Sequence, residues 1–160
     1  MKSATVKSPS AATGNPSSIS MRSNRALPLE AVAPAFNLAG VRGSASARFE
    51  RIEIEEGLPV AADGLLTVAD FTHPRIYRGS IGGYRAEFFT QNDGVVASVE
   101  DTDGSIDIAG SLQVNADRTY QFIAKLAPKQ NTPASIRGQL QVLGSPDERG
   151  QRELRLEGVL

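Results

Sequence analysis

The chain has 160 residues, a formal net charge of -1 and no cysteine, which fits one domain and excludes disulfides and thiolate chemistry. The balanced charge creates no overall field that would favour nucleic acid or an acidic lipid surface. No apolar run reaches the ~18 residues of a membrane helix, and the N-terminus lacks the apolar core of a signal peptide.

Residues 1–26 are rich in Ser, Ala, Asn and Pro, and all their charged side chains are basic. So few large apolar residues cannot offset the entropy of ordering the segment. We predict a disordered basic tail over residues 1–26 and a single β-rich domain over residues 27–160. The alternative is an arm for nucleic acid or the membrane surface, but the basic residues are too spread out for a polybasic cluster.

The first predicted element is a short helix near residues 28–33. Leu29, Val32 and Phe36 recur at helical spacing, and Pro28 is tolerated at a first helical position. Pro34 is expected to end or kink this turn.

A period of two, typical of strands with one buried face, dominates the chain after Gly40. A slip in that period at Glu50-Arg51 predicts a bulge within one long strand. Asn92-Asp-Gly94 is a strong hairpin signal, and we interpret the segment from His73 to Gly83 as a loop. The predicted strands lie near residues 45–55, 66–69, 84–89, 95–99, 106–114, 120–126 and 154–160.

Residues 132–143 fit two structures. Alternation at Ile136, Leu140 and Val142 suits a strand, whereas Ile136 and Leu140 also share a helical face. Pro133 near the start and Gly144 at the end favour a helix, which we predict despite Gly138 in its middle.

These elements predict a mainly β fold. Strands joined by tight turns pair antiparallel with their neighbours in sequence. We therefore expect a meandering, strongly curved antiparallel sheet of seven or eight strands with one or two short helices, near 28–33 and 132–143.

The candidate chemical groups do not assemble into a site. His73 is the only histidine and has no cysteine or second histidine with which to share a metal. The segment Glu100–Asp107 resembles a calcium loop but lacks the glutamate at its twelfth position, so we interpret it as a hairpin with Asp-Gly at the tip. The acids of Glu50–Glu56 suit the wet face of a strand. Gly79–Gly83 lacks the Lys-Ser or Lys-Thr ending of a phosphate loop.

We therefore predict that the chain is not an enzyme, and we assign no catalytic, metal or cofactor-binding residue. No cofactor is expected, and the partner-binding residues are left open. Contacts with other molecules would use the sheet surface and its edges.

From about Leu27 onward, the order of strand and turn signals resembles a known family, the N protein of the type II (general) secretion pathway of Gram-negative bacteria. The segments that carry the resemblance are Leu27-Pro-Leu29, Gly82-Gly-Tyr84-Arg-Ala86, Asp103-Gly104, Gly110-Ser-Leu112, Tyr120-Gln-Phe122, Leu140–Leu143, Gly144-Ser-Pro146-Asp147, Gly150 and Leu154–Leu160.

The resemblance implies an inner-membrane protein whose periplasmic β domain contacts other secretion components, either the secretin or the inner-membrane platform. Such a domain would act without catalysis while folded proteins are exported across the outer membrane. It also implies a membrane-spanning helix before the β region, so we expect this chain to be a soluble periplasmic fragment that lacks that helix.

Two other hypotheses come from the residues. A curved sheet with an apolar trough would suit a periplasmic lipid-binding groove of the bridge-like lipid carrier type. A β-sandwich that binds carbohydrate would need several exposed aromatics, and the chain has no Trp and only three Tyr.

Overall fold

Most of the described chain is β-strand, and the strands follow one another across one antiparallel sheet. The computed structural model describes residues 17–18, 26–28, 40–92 and 94–160. Its elements are β1 (Ser17–Ser18), β2 (Ala26–Pro28), β3 (Arg42–Glu55), β4 (Leu58–His73), β5 (Tyr77–Gln91), β6 (Gly94–Asp101), β7 (Ile106–Asn115), β8 (Thr119–Pro128), α1 (Ala134–Gln141) and β9 (Arg152–Val159).

The predicted antiparallel meander is confirmed. Each strand from β4 to β9 pairs with the one before it, and β1 and β2 both pair with β3. The seven long strands β3 to β9 match the predicted number, and the short β1 and β2 bring the sheet to nine strands. Among the described strands the sheet does not close, because β9 and β3 do not pair with each other.

The predicted bulge lies where the period of two slips. In β3 the pairing with β4 shifts between Phe49 and Arg51, and again between Glu53 and Ile54. One strand therefore carries both halves of the pattern, because an extra residue restores the apolar side chains to the same face.

Two strands are longer than the sequence suggests. β4 begins at Leu58, before the predicted strand at residues 66–69, and β5 begins at Tyr77, before the predicted strand at residues 84–89. The glycines at 79, 82 and 83 thus lie in a strand, and the prediction of a loop there was wrong. Pairing with β4, at Phe71 with Gly82 and at His73 with Tyr77, overrides the weak strand propensity of glycine.

The helix predicted at 132–143 is confirmed as α1, and it buries Ile136 and Leu140. The helix expected near 28–33 is not testable as a whole: Pro28 ends β2, and residues 29–33 lie outside the described residues. No helix in the described ranges combines the length and hydropathy needed to span a membrane.

The two faces of the sheet differ in chemistry. One face, which we call the inner face, carries Ala97, Leu112, Phe122 and Leu156 in one row of paired residues. α1 packs on this face, where Leu140 joins a cluster with Ala124 and Leu126. The opposite, outer face carries a row that includes Glu87, Ser98, Ser111, Ile123 and Arg155.

Small residues let distant parts of the inner face meet. Phe49 on β3 and Phe88 on β5 have ring centroids 5.6 Å apart, although β4 lies between them. The intervening residue is Gly64, where a Cβ would lie 2.7 Å from a Phe49 ring carbon. The absent side chain therefore allows the two rings to pack over the strand.

Two long-range hydrogen bonds connect turns of the sheet with segments that are not their neighbours. Arg118, in the turn between β7 and β8, donates to the Glu56 carbonyl between β3 and β4 at 2.9 Å. Gln139 of α1 donates to the Ile76 carbonyl between β4 and β5 at 2.8 Å. Neighbouring strands of a flat sheet are about 4.8 Å apart, so the contact of Arg118 with a turn three strands away indicates that the sheet is curved.

Candidate interaction surface

The outer face is a charged, hydrogen-bonding surface with apolar residues among the charges. Arg85 and Glu100 pair across β5 and β6, and Lys125 lies 3.6 Å from Glu153 across β8 and β9. Phe89 lies on the same face with 46% of its surface exposed. No described helix covers this face, since α1 packs on the other side.

β9 forms one edge of the sheet, and its main-chain groups alternate in direction. Leu160, just after the strand, donates its N–H to the Arg118 carbonyl at 2.9 Å and so points toward β8. Because direction alternates along an antiparallel strand, Glu153, Arg155, Glu157 and Val159 direct their N–H and C=O groups outward. No described strand pairs with them on that side.

The beginning of this edge is covered by the preceding loop. Gln151 donates its N–H to Asp147 Oδ1 at 2.9 Å, and its carbonyl accepts the Asp147 N–H at 2.8 Å. The hydrogen bond from Gln151 is the main reason that the pKa of Asp147 lies below its ordinary value. The outward groups of β9 are thus open only beyond Gln151.

A network of polar groups fixes α1 to the sheet. Lys129 Nζ forms an ion pair with Asp101, and Asp101 Oδ1 also accepts the Ile108 N–H at 3.0 Å. Thr132 donates its hydroxyl to the Ser105 carbonyl and accepts the Lys129 N–H at 2.6 Å. The segment before α1 is therefore bound to the connection between β6 and β7.

The charge state of this network is set by opposing effects on Asp101. Burial raises the pKa of its carboxyl group, but the hydrogen bonds from Lys129 and Ile108 and the charge of Lys129 outweigh burial and leave the pKa below its ordinary value. Nearby, burial and the charges of Asp101 and Asp103 raise the pKa of Tyr84 to about 12. Asp101 is thus held ionised and Tyr84 neutral.

A second carboxylate closes a gap in the pairing of β4 and β5. Asp63 accepts both the N–H and the hydroxyl of Thr90, each at 2.8 Å, and the Thr90 oxygen accepts the Ala62 N–H at 3.0 Å. The hydrogen bond from the Thr90 N–H is the largest cause of the lowered pKa of Asp63. The side chains of Asp63 and Thr90 thus connect β4 and β5 where the strands make no main-chain pairs.

The groups singled out in the sequence lie apart. His73 ends β4, where its Nδ1 accepts the Arg75 N–H at 3.3 Å. Glu50–Glu56 runs along β3 and into the following turn, with most of its acids exposed. In the ranges that the structure describes, no three His, Asp or Glu residues converge closely enough to hold a metal ion.

The segment Glu100–Asp107 joins neighbouring antiparallel strands, as predicted, but its tip is not exposed throughout. Gly104 and Ser105 are buried, and Ser105 donates its N–H to the Ile81 carbonyl at 2.8 Å. At Gly82, with a φ of +104°, a Cβ would lie 2.6 Å from the Asp103 carbonyl oxygen. The glycines of β5 therefore let this connection pack onto the strand, a role that sequence reasoning missed.

Two shallow clefts lie at the end of the sheet where β5 meets β6 and β7 meets β8. Their volumes are about 400 and 310 Å³, and side-chain amides and main-chain groups line much of both. One holds no acidic or basic side chain among its described residues, and the other holds only Glu157. Neither collects the set of groups that acid–base or nucleophilic catalysis requires.

Comparison with known proteins connects this architecture to a secretion system. A family model described as type II secretion system (T2SS), protein N, matches residues 4–155, nearly the whole chain. No curated protein and no solved structure matched significantly. The family match confirms the resemblance found in the strand and turn pattern, and the chain belongs to the protein N family of the type II secretion system.

Proposed function

We propose that this chain is a non-catalytic assembly component whose β domain contacts other type II secretion proteins during export of folded proteins across the outer membrane. The observation that carries the proposal is the outer face, a broad strand surface with paired charges and an exposed aromatic. Family membership gives the general role in the secretion system, and the outer face is a surface on which such a role can be performed.

The composition of the outer face favours protein contact. Phe89 and Ile123 provide apolar area, while Arg85, Glu100 and Lys125 provide charges that can select a partner. Protein interfaces combine aromatic anchors with a polar rim of this kind. The partner that we propose is the secretin or the inner-membrane platform, with the domain on the periplasmic side of the inner membrane.

The titratable groups with the best-defined partners have structural roles, which supports a function without catalysis. Asp101 binds the segment before α1, and Asp63 joins β4 to β5. We propose further that residues 27–160 act as one strongly curved β domain after a basic tail over residues 1–26. The hydrogen bond from Arg118 to the turn between β3 and β4 supports the curvature.

Crosslinking in cells tests this role. A photoreactive residue would be placed at Phe89 or Ser98, both exposed on the outer face, in the protein at its natural expression level. Val142 is the matched control, because it is 86% exposed but follows α1 and does not belong to the sheet.

We expect adducts with the secretin or a platform protein from Phe89 and Ser98 and not from Val142. Adducts that contain no secretion protein, from a folded chain in secreting cells, would contradict the proposal. Unchanged export after deletion of the gene would contradict it as well.

A further inference from the structure

We propose that the edge strand β9 pairs with β9 of a second copy of this chain, antiparallel and about a two-fold axis at Leu156. The pairing would join the two sheets into one continuous sheet. The inference goes beyond the proposed function, because it concerns a different surface and does not require any other secretion protein.

The direction of the main-chain groups allows this pairing. The N–H and C=O groups of Glu153, Arg155, Glu157 and Val159 point away from β8, as the Leu160 and Gln151 hydrogen bonds show. An edge strand with outward groups of this kind is a template for another strand. A two-fold arrangement presents the same outward groups from both copies.

The side chains then select the register. With Leu156 opposite itself, Arg155 faces Glu157 of the second copy twice, and Glu153 faces Val159. Every outward residue of β9 beyond Gln151 then has a residue opposite it. Arg155, which already pairs with Glu153 and Glu157 of its own chain, also meets Glu157 of the second copy. The two Leu156 side chains, each 48% exposed in the single chain, become a close apolar pair on the inner face.

Neighbouring registers are poorer. An axis at Arg155 would place Arg155 opposite itself and Glu153 opposite Glu157, so that like charges face each other. An axis at Leu154 would place Glu157 opposite Gln151, whose main-chain groups already bind Asp147. That register therefore loses hydrogen bonds that the Leu156 register keeps.

The other edge of the sheet explains why the second copy meets β9 and not β3. Along β3, Ser44–Ser46 pair with β2, and Glu53 and Ile54 pair with β1. A head-to-tail contact of β9 with β3 would have to displace both strands. Pairing of β9 with itself displaces no strand that the structure describes, and it closes after two copies because each copy uses the same edge.

Disulfide trapping reports the register directly. The chain has no cysteine, so the single variants Leu156→Cys, Leu154→Cys and Arg155→Cys have no background. Opposite residues that do not share hydrogen bonds have Cα atoms about 4.5 Å apart, within reach of a disulfide. In the proposed register the two Leu154 residues are offset by about 13 Å along the strand, and the two Arg155 residues by about 7 Å.

We expect purified Leu156→Cys chain to form a covalent dimer under mild oxidation, while the other two variants stay monomeric. One strand pair is small compared with interfaces of ~1,200–2,000 Å², so the uncrosslinked dimer should be reversible. Sedimentation equilibrium should show the mass rise from 17.0 kDa toward twice that value as concentration increases.

The second measurement compares the dimerisation of a charge-reversal variant with that of a double variant in which opposite charges face each other again. Arg155→Glu should weaken dimerisation about tenfold, because two attractive cross-strand contacts become repulsive. Adding Glu157→Arg in the same chain should restore it, since opposite charges face each other again. Circular dichroism would verify that both variants keep the sheet.

A folded Leu156→Cys chain that stays monomeric at high concentration would overturn the proposal. A disulfide at Leu154 or Arg155 and not at Leu156 would overturn it too, as would an Arg155→Glu and Glu157→Arg double variant that does not regain the dimer. Capture of a different protein at Leu156 in cells, without any dimer, would likewise overturn it. Because the trapping uses the purified chain alone, its failure is distinct from failure of the crosslinking from Phe89.

Discussion

The ion pair of Asp101 and Lys129 should contribute more to stability than an exposed pair one residue away. The side chain of Asp101 is 10% exposed, and that of Lys129 is 34% exposed. Hydrogen bonds to charged groups contribute about 1.5–3 kcal/mol, so we expect Asp101→Asn to lower the free energy of unfolding by about 2 kcal/mol at neutral pH. Lys129→Met should cost at least as much, because it leaves Asp101 buried without its cation.

The matched control is Glu100→Gln. Glu100 precedes Asp101 in β6 but points to the outer face, where its side chain is 51% exposed and that of its partner Arg85 is 48% exposed. Exposed pairs contribute about 0–1 kcal/mol. Urea denaturation followed by circular dichroism would compare the three variants, and a double-mutant cycle of Asp101→Asn with Lys129→Met would measure the coupling.

The effect should depend on pH with a defined sign. Because the pKa of Asp101 is lower in the folded chain than in the unfolded chain, its ionised form stabilises the fold above the unfolded pKa. That contribution is lost as the pH falls through the folded pKa. The difference between wild type and Asp101→Asn should therefore shrink at acid pH. Equal costs at Asp101 and Glu100, or a difference that does not change with pH, would refute this reasoning.

Two further predictions concern α1 and the glycines. Leu140→Ala should lower the free energy of unfolding by about 2–5 kcal/mol, because Leu140 is 5% exposed in the cluster between α1 and the sheet. Val142→Ala, at an 86% exposed position, should change the free energy of unfolding by less than about 0.5 kcal/mol. Equal urea midpoints for the two variants would contradict this prediction. Gly94→Ala should prevent the folded chain from accumulating, since its φ is +146° and a Cβ would lie 1.9 Å from the Val114 carbonyl oxygen. Gly138→Ala should instead stabilise α1 by about 0.5–1 kcal/mol, because a Cβ at this position meets no atom within 4 Å. A higher melting temperature for Gly94→Ala than for Gly138→Ala would show this reasoning wrong.

The repeating pattern of the sequence was sufficient to predict the sheet. Alternation of side chains determines which face is buried, so the slip at Glu50-Arg51 predicted the bulge between Phe49 and Arg51. The helical spacing of Ile136 and Leu140, with a start at Pro133, predicted α1. The alternation and the helical spacing are both local patterns. They predict the structure correctly because the packing of the folded chain buries the same residues that the patterns mark as apolar.

The features that the sequence did not show depend on contacts between distant residues. Gly79–Gly83 reads locally as a loop, and only its pairing with β4 and its contact with the connection at Gly104 make it a strand. Asp101 and Lys129 are 28 positions apart, and nothing in the spacing indicates that they meet. The direction of the outward groups on β9 likewise follows from how Leu160 and Gln151 are bonded, not from residue types.

The composition of the core explains why contact surfaces on this sheet can be altered separately from the fold. Among the residues whose burial the structure describes, many of the buried apolar ones are alanine or valine, and the largest fully buried side chains are Ile136 and Val41. Small side chains bury little apolar area each, so strand pairing and polar contacts such as that of Lys129 with Asp101 must hold much of the structure. Substitutions at exposed positions of the outer face, such as Phe89 or Ser98, leave both of these contributions intact. Loss of function after such substitutions, with an unchanged urea midpoint, would therefore report a lost contact and not an unfolded domain.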